Sequence, residues 1–323
     1  MPSFSVSAVM SGKFMQDFES YAMDQFPLRT GFRTLKSAVS LYLFRQKDVG
    51  GIYIADGYAS KLEYPVNTDS LDNAAARFRR VYDKYLNGQN SNIYLSVIPD
   101  KNYFLAGQNG YPAMDYGALV SYLRERTDYM QYIDIFDCLE LEDYYKTDTH
   151  WRQERITDVA GRLAEGMGIS LSGEYRVKLL ENPFYGVYYG QSALPLPAEQ
   201  IYYLESDILD SCRVYDYETN GEIPVYDMEK SRGKDPYEMF LSGSKSLLTI
   251  QNPGGAADRR LIVFRDSFGS SIVPLLAEGY GEVTLVDIRY LSSELLGNFL
   301  EFDNCDVLFL YSTLVLNNSE TLK

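Results

Sequence analysis

The chain has 323 residues, and its 45 Asp and Glu against 30 Lys and Arg give a formal charge of −15. That balance excludes a nucleic-acid reader, which needs a Lys/Arg stripe to displace counterions from phosphates. With 46% apolar residues the chain has the composition of a folded globular protein of one large or two modest domains; it contains no uncharged apolar run of transmembrane length and no visible signal peptide.

Residues 12–46 read as amphipathic helix, with Phe14, Phe18, Tyr21, Leu35, Val39 and Tyr42 at three-to-four spacing. Pro27 interrupts the pattern, so two helices with a bend around Asp24-Gln25-Phe26-Pro27-Leu28-Arg29 are expected. A short β element at Ile52-Tyr53-Ile54 closes on Asp56-Gly57. Leu71, Ala75, Phe78, Tyr82 and Tyr85 then line one helix face, with Ser70 as its expected cap. Ile93 to Ile98 fits a buried strand ended by Pro99-Asp100. A helix at 115–128 leads to a strand from Tyr132 to Phe136. Ile156, Val159, Ala160, Leu163, Ala164 and Met167 form a helical stripe stopped by Gly168.

From about 172 to 255 helical periodicity fades and Tyr, Gly and Pro become dense, which reads as an antiparallel β-rich insertion. The alternation then resumes: strand 261–264, helix 268–278, strand 283–288, helix 291–301, strand 307–311. This rhythm predicts an α/β domain with a doubly wound, mostly parallel sheet over 66–323, preceded by an N-terminal helical segment over 1–65 packed on it.

Three counts bear on chemistry. The chain has 29 Tyr, one His and three Cys. Abundant tyrosine suits either half-exposed core or grooves that face sugars. Cys138, Cys212 and Cys305 are far apart and odd in number, so no disulfide framework is legible and the redox compartment stays open. One His and no Cys pair exclude an ordinary zinc site, and no cofactor motif is present.

Ligands of open α/β sheets bind beyond the carboxyl ends of the strands. Two segments fall there: Thr147-Asp148-Thr149-His150-Trp151, and Arg265-Asp266-Ser267-Phe268-Gly269. A serine at a strand-to-helix turn exposes its Oγ next to the backbone N–H groups that open the helix, a setting for a developing oxyanion. Its alternative role is an N-cap. A serine nucleophile needs a base, and the base needs a carboxylate to fix its tautomer. His150 is the only imidazole, and Asp148 lies two residues before it, so in an extended or turn segment both project to one side. The alternative for His150 is a core residue wedged beside Trp151.

Asp148-Thr149-His150-Trp151 and the later Asp266-Ser267-Phe268-Gly269 resemble the DHHW protein family, related to the SGNH-hydrolase-like domains of alginate O-acetyltransferase proteins. The resemblance extends over most of the chain. It takes in Asp24-Gln25-Phe26-Pro27-Leu28-Arg29, Ile98-Pro99-Asp100-Lys101, Tyr144-Tyr145-Lys146, Tyr189-Gly190-Gln191-Ser192 and Val286-Asp287-Ile288-Arg289-Tyr290. It departs at Thr149, where the family name implies a second His, and at Arg265, where SGNH esterases carry Gly.

The resemblance implies an SGNH-like fold with Ser267 as nucleophile, His150 as general base and acid, and Asp148 as the orienting carboxylate. It implies O-acetyl transfer to an exported cell-surface polysaccharide; acetylester hydrolysis and non-catalytic glycan binding are the alternatives. Candidate oxyanion or substrate contacts are Arg265, Asn252, Gln191, Tyr189 and Trp151. The relatives work outside the cytoplasmic membrane, often beside a membrane-bound O-acyltransferase, and tend to carry an N-terminal membrane segment that this chain would then lack.

Overall fold

A computed structural model describes residues 4–24 and 27–323. The chain opens with α1 (Val6–Met10), α2 (Lys13–Asp24) and α3 (Arg29–Ala38), the last running on into a π-helical turn, Val39–Leu43. Gln25 and Phe26, at the expected bend, lie outside the described residues. The hairpin β1 (Ile52–Ala55) and β2 (Tyr58–Lys61) turns on Asp56 and Gly57, both at positive φ, as a two-residue turn that matches strand twist requires.

Next come α4 (Thr68–Val81), β3 (Asn92–Ile98), α5 (Lys101–Leu105), α6 (Tyr116–Arg126), β4 (Gln131–Tyr132) and α7 (Thr157–Gly166). The middle of the chain holds β5 (Arg176–Leu179), α8 (Val187–Ser192), β6 (Tyr202–Glu205), α9 (Asp207–Ser211), β7 (Arg213–Asp216), β8 (Gly221–Ile223) and β9 (Leu247–Gln251). The last part is β10 (Arg260–Arg265), α10 (Gly269–Leu276), β11 (Glu282–Val286), β12 (Asp306–Ser312) and α11 (Thr313–Leu316).

One eight-stranded sheet runs β4-β3-β12-β10-β11-β9-β7-β8. The first five strands are parallel and the last three antiparallel. Alternation along the central strands divides the core in two. Leu261, Val263, Leu308 and Leu310 meet Val159, Leu163, Ile272 and Leu276 of α7 and α10. Ile262, Phe264, Val307 and Phe309 meet Leu71, Phe78, Leu119 and Leu123 of α4 and α6. Helices on both faces explain why these strands read as continuous apolar runs.

Three expectations are corrected. The side chain of Asn67, not Ser70, caps α4, accepting from the Ser70 N–H at 3.1 Å. The strand at 132–136 stops early because the Asp134 carboxylate accepts the Phe136 N–H and turns the chain into a 3-10 turn, Phe136–Cys138. The helix at 291–301 is instead a 3-10 stretch, Ser293–Asn298, which contains Gly297, a poor helix former. The antiparallel, β-rich character expected of 172–255 is present: β7, β8 and β9 extend the main sheet, through Ile250 opposite Val283, and the β5–β6 hairpin lies outside it. The sheet is therefore mixed.

The chain leaves β3 outward to β4 and leaves β10 in the opposite direction to β11. The crevice beyond the carboxyl ends of β3, β12 and β10 is the topological switch point.

Candidate active site

β10 ends at Arg265, and the next residue builds the turn. One Asp266 carboxylate oxygen accepts the Phe268 N–H at 3.0 Å, and the other accepts the Ser312 N–H at the end of β12 at 2.8 Å. The backbone then enters α10 through Gly269, where a Cβ would lie 2.7 Å from that of Arg265. Ser267 is half-buried amid buried neighbours. Phe268 takes the cap position of α10, so the Ser267 hydroxyl is not an N-cap.

That hydroxyl lies 2.8 Å from His150 Nε2. His150 Nδ1 lies 2.6 Å from Asp148 Oδ1. A carboxylate only accepts, so Nδ1 carries the proton and the Nε2 lone pair faces the serine O–H. Asp148 is fully buried and also accepts the His150 N–H at 2.9 Å and the Val187 N–H at 2.8 Å. Burial pushes its carboxyl up, but the adjacent imidazole and these hydrogen bonds outweigh burial and hold it below its ordinary value.

The Asp148 segment is clamped from both sides. The Glu199 carboxylate accepts the N–H groups of Lys146 and Thr147 and the Thr147 hydroxyl, at 2.6 to 2.8 Å. Gly186 packs so closely that a Cβ there would sit 2.3 Å from the Asp148 Cβ. The imidazole stacks on Tyr237, with centroids 3.9 Å apart and planes 5° from parallel, and makes a tilted contact with the Phe268 ring at 4.9 Å between centroids. The Tyr237 hydroxyl donates to Ser271 Oγ at 2.8 Å, which fixes the stacking ring.

The structure thus brings Ser267, His150 and Asp148 together. It places the other candidates elsewhere. Trp151 is fully buried, its Nε1 directed to the Phe268 carbonyl and Ser271 Oγ, so it braces the turn from below. Arg265 is buried under the turn, 3.8 Å from Asp287 and hydrogen-bonded to the carbonyls of Asp266 and Lys245. Asn252 is a correction: it follows β9, which runs antiparallel, so it sits by the amino end of β11, hydrogen-bonded to Ala277 and Gly254 at the opposite end of the strands from the crevice. Tyr189 is half-buried against Tyr185, and Gln191 is exposed, both on α8. Among the described residues none of these five is hydrogen-bonded to Ser267 or His150.

Sequence reading missed Tyr237, Gly186, Val187 and Glu199 as parts of the site. Only the Gly-Val step inside the Tyr-rich stretch carried any signal, because Gly is the residue that permits such close approach.

No protein-family profile matches the chain, and no curated protein does. Solved structures do. A DHHW family protein from Eubacterium siraeum is 20% identical, covering 84% of this chain and 93% of that one, with a TM-score of 0.67. Bacillus cereus PatB1 is 17% identical over 82% of this chain and 96% of that one, at a TM-score of 0.65. This chain shares their fold. The O-acetyltransferase domain of Pseudomonas putida AlgJ also aligns, with 13% identity over 83% and 92% of the two chains and a TM-score of 0.50. The α/β architecture expected from the sequence, helices on both faces of a largely parallel sheet, is the one present, with its sheet completed by antiparallel strands.

Proposed function

We propose that the chain transfers O-acetyl groups to an exported polysaccharide through an acetyl-serine intermediate. The observation that carries this reading is the unbroken chain from Asp148 to His150 to Ser267, with contacts of 2.6 and 2.8 Å. The fold shared with a domain named as an O-acetyltransferase supports it.

In the first half-reaction Ser267 Oγ gives its proton to His150 Nε2 as it attacks the acetyl carbonyl carbon. The tetrahedral oxyanion meets the Ser267 N–H, which donates to no acceptor among the described residues. As the ester bond breaks, the Nε2 proton passes to the departing alkoxide, leaving acetyl on Ser267. In the second half an acceptor hydroxyl gives its proton to Nε2, attacks the acetyl carbon, and Ser267 Oγ leaves and is reprotonated. Throughout, Asp148 holds Nδ1–H and the positive charge that forms on the ring. No cofactor enters these steps. The donor, a polysaccharide acceptor and a membrane-bound O-acyltransferase partner outside the cytoplasmic membrane belong to the same proposal.

The test is incubation with an activated acetyl ester, with and without glycan oligomers, following free acetate and acetylated glycan. Acetylated glycan that disappears in Ser267→Ala supports transfer. Acetate alone makes the chain an esterase, and no turnover by the folded protein makes it a glycan-binding module.

A further inference from the structure

We propose that the outward face of α3 and its π-helical extension is a docking surface for an anionic lipid bilayer. This rests on the surface itself and not on the chemistry assigned to Ser267.

The helix is amphipathic in the reverse sense. Its polar side faces the protein: Arg33 donates to the carbonyls of Gly190 and Gln191 at 2.7 and 3.0 Å, and the buried Ser37 donates to that of Ser192 at 2.6 Å. Four residues on, Leu41 packs with Ile52, Tyr188 and Leu194. Positions 33, 37 and 41 therefore form the seat, on the carboxyl-terminal part of α8. Phe32, Leu35, Val39, Tyr42 and Leu43, also at three- and four-residue spacing, form the opposite stripe. Leu35, Tyr42 and Leu43 are between 59% and 73% exposed. Scattered exposed apolar residues are ordinary, but a contiguous stripe on one helix face marks an interaction site.

Charge selects the occupant. Besides Arg33, which is engaged in the seat, the chain between Asp24 and Asp48 has Arg29, Lys36, Arg45 and Lys47 and no Asp or Glu, although the whole chain is at −15. A helix with aromatic and aliphatic residues on one face and flanking Lys and Arg is built to lie in the plane of an anionic interface, apolar side in the acyl boundary and basic side chains at the headgroups. An acidic protein would otherwise be repelled by such a surface. No helix among the described residues is long and apolar enough to cross a membrane, so this contact is superficial. It also has a consequence for position. α3 rests on α8, and the first amide of α8, Val187 N–H, holds Asp148, which places the docked surface one helix away from the triad.

The experiment is flotation of the full chain with vesicles of phosphatidylcholine alone and of phosphatidylcholine mixed with phosphatidylglycerol. Binding to the mixed vesicles, released by high salt, is expected. Leu35→Glu with Leu43→Glu should weaken it about tenfold or more, and so should Lys36→Glu with Lys47→Glu. Both double variants should keep the circular-dichroism spectrum and the solution activity of the parent. Absence of binding, or equal binding to neutral vesicles without a salt effect, overturns the proposal. So does a dimer in sedimentation that the Leu35→Glu, Leu43→Glu pair dissociates while lipid binding is nil, which would assign the stripe to a second copy of the chain.

Discussion

Replacing Asp148 by Asn probes the site at its most constrained point. The carboxylate accepts three N–H groups: His150 Nδ1 and the His150 amide on one oxygen, and the Val187 amide on the other. A carboxamide of the same shape has one accepting oxygen and one donating nitrogen. If the oxygen faces Val187, the NH2 points at His150 and forces Nδ1 to accept. The ring proton then sits on Nε2, and the imidazole donates toward Ser267 where it must accept. If the oxygen faces His150, the NH2 opposes the Val187 N–H inside a buried pocket.

The two orientations cost different things. The first keeps the ring in place but supplies the wrong tautomer, a fault worth about 1,000- to 10,000-fold in turnover, or roughly 4–5.5 kcal/mol of barrier. The second leaves buried donors unpaired, at about 1–3 kcal/mol of stability. Since the wild-type carboxyl lies below its ordinary 3.8, the stability it contributes is present above about pH 4 and disappears as pH falls through the lowered value. Asp148→Asn should accordingly be less stable than wild type at neutral pH and converge with it in acid. The assay is steady-state release of acetate from an activated ester, with urea unfolding at several pH values. Turnover within tenfold of wild type in a folded Asp148→Asn protein would refute the assignment of Asp148 as the orienting group.

Gly186→Ala should cost about 3 kcal/mol and depress turnover, because the new Cβ meets Asp148 at 2.3 Å and one of the two backbones must give; thermal melts and acetate release read both effects. Tyr237→Phe keeps the ring stacked on His150 and should stay within a fewfold of wild-type kcat, whereas Tyr237→Ala frees the imidazole and should lose about 100-fold, together with about 3 kcal/mol in unfolding experiments. Lys101 is buried and pushed down to about 7, while its unfolded counterpart titrates near 10.5, so wild-type stability rises with pH above 7 as the buried amine deprotonates. The expected gain from pH 7 to 9 is about 2 kcal/mol by urea unfolding, and it should vanish in Lys101→Met.

The central strands and the packed helices were readable because burial on both faces, or on one helical stripe, leaves a period in the sequence. Leu261 to Phe264 and the Val159, Leu163 stripe are of this kind. What could not be read depends on pairing partners distant along the chain. Nothing local to Ile250 announces Val283 as its neighbour, so the antiparallel character of β9 was legible but its place beside β11 in the main sheet was not. That hidden placement is why Asn252 looked available to the site: a polar residue after a strand of this sheet is near the crevice only when the strand runs parallel to β10. The early end of β4 turned on one side-chain acceptor, Asp134, which competes with the ladder for an N–H.

The three side chains that meet at the candidate site, Ser267, His150 and Asp148, were legible for a different reason. A chain with one imidazole offers one ordinary base, and the Asp two positions before it and the Ser at a strand-to-helix turn follow from the chemistry that base must serve. The groups that make the base precise in position were not legible, since their work is done by backbone amides and shape. Phe184 and Glu199 exchange backbone hydrogen bonds, closing the loop that carries α8. The Glu199 carboxylate then grips the amides of Lys146 and Thr147, Thr147 Oγ1 takes the Gly186 N–H, and the Val187 N–H returns to Asp148. Each contact in this ring depends on the one before it, so the carboxylate reaches its position only when the 184–199 loop is folded onto the 146–150 segment. The geometry of the Asp148–His150–Ser267 cluster is a property of that closure, and it explains how a middle region without helical periodicity governs the position of an imidazole fixed elsewhere in the chain.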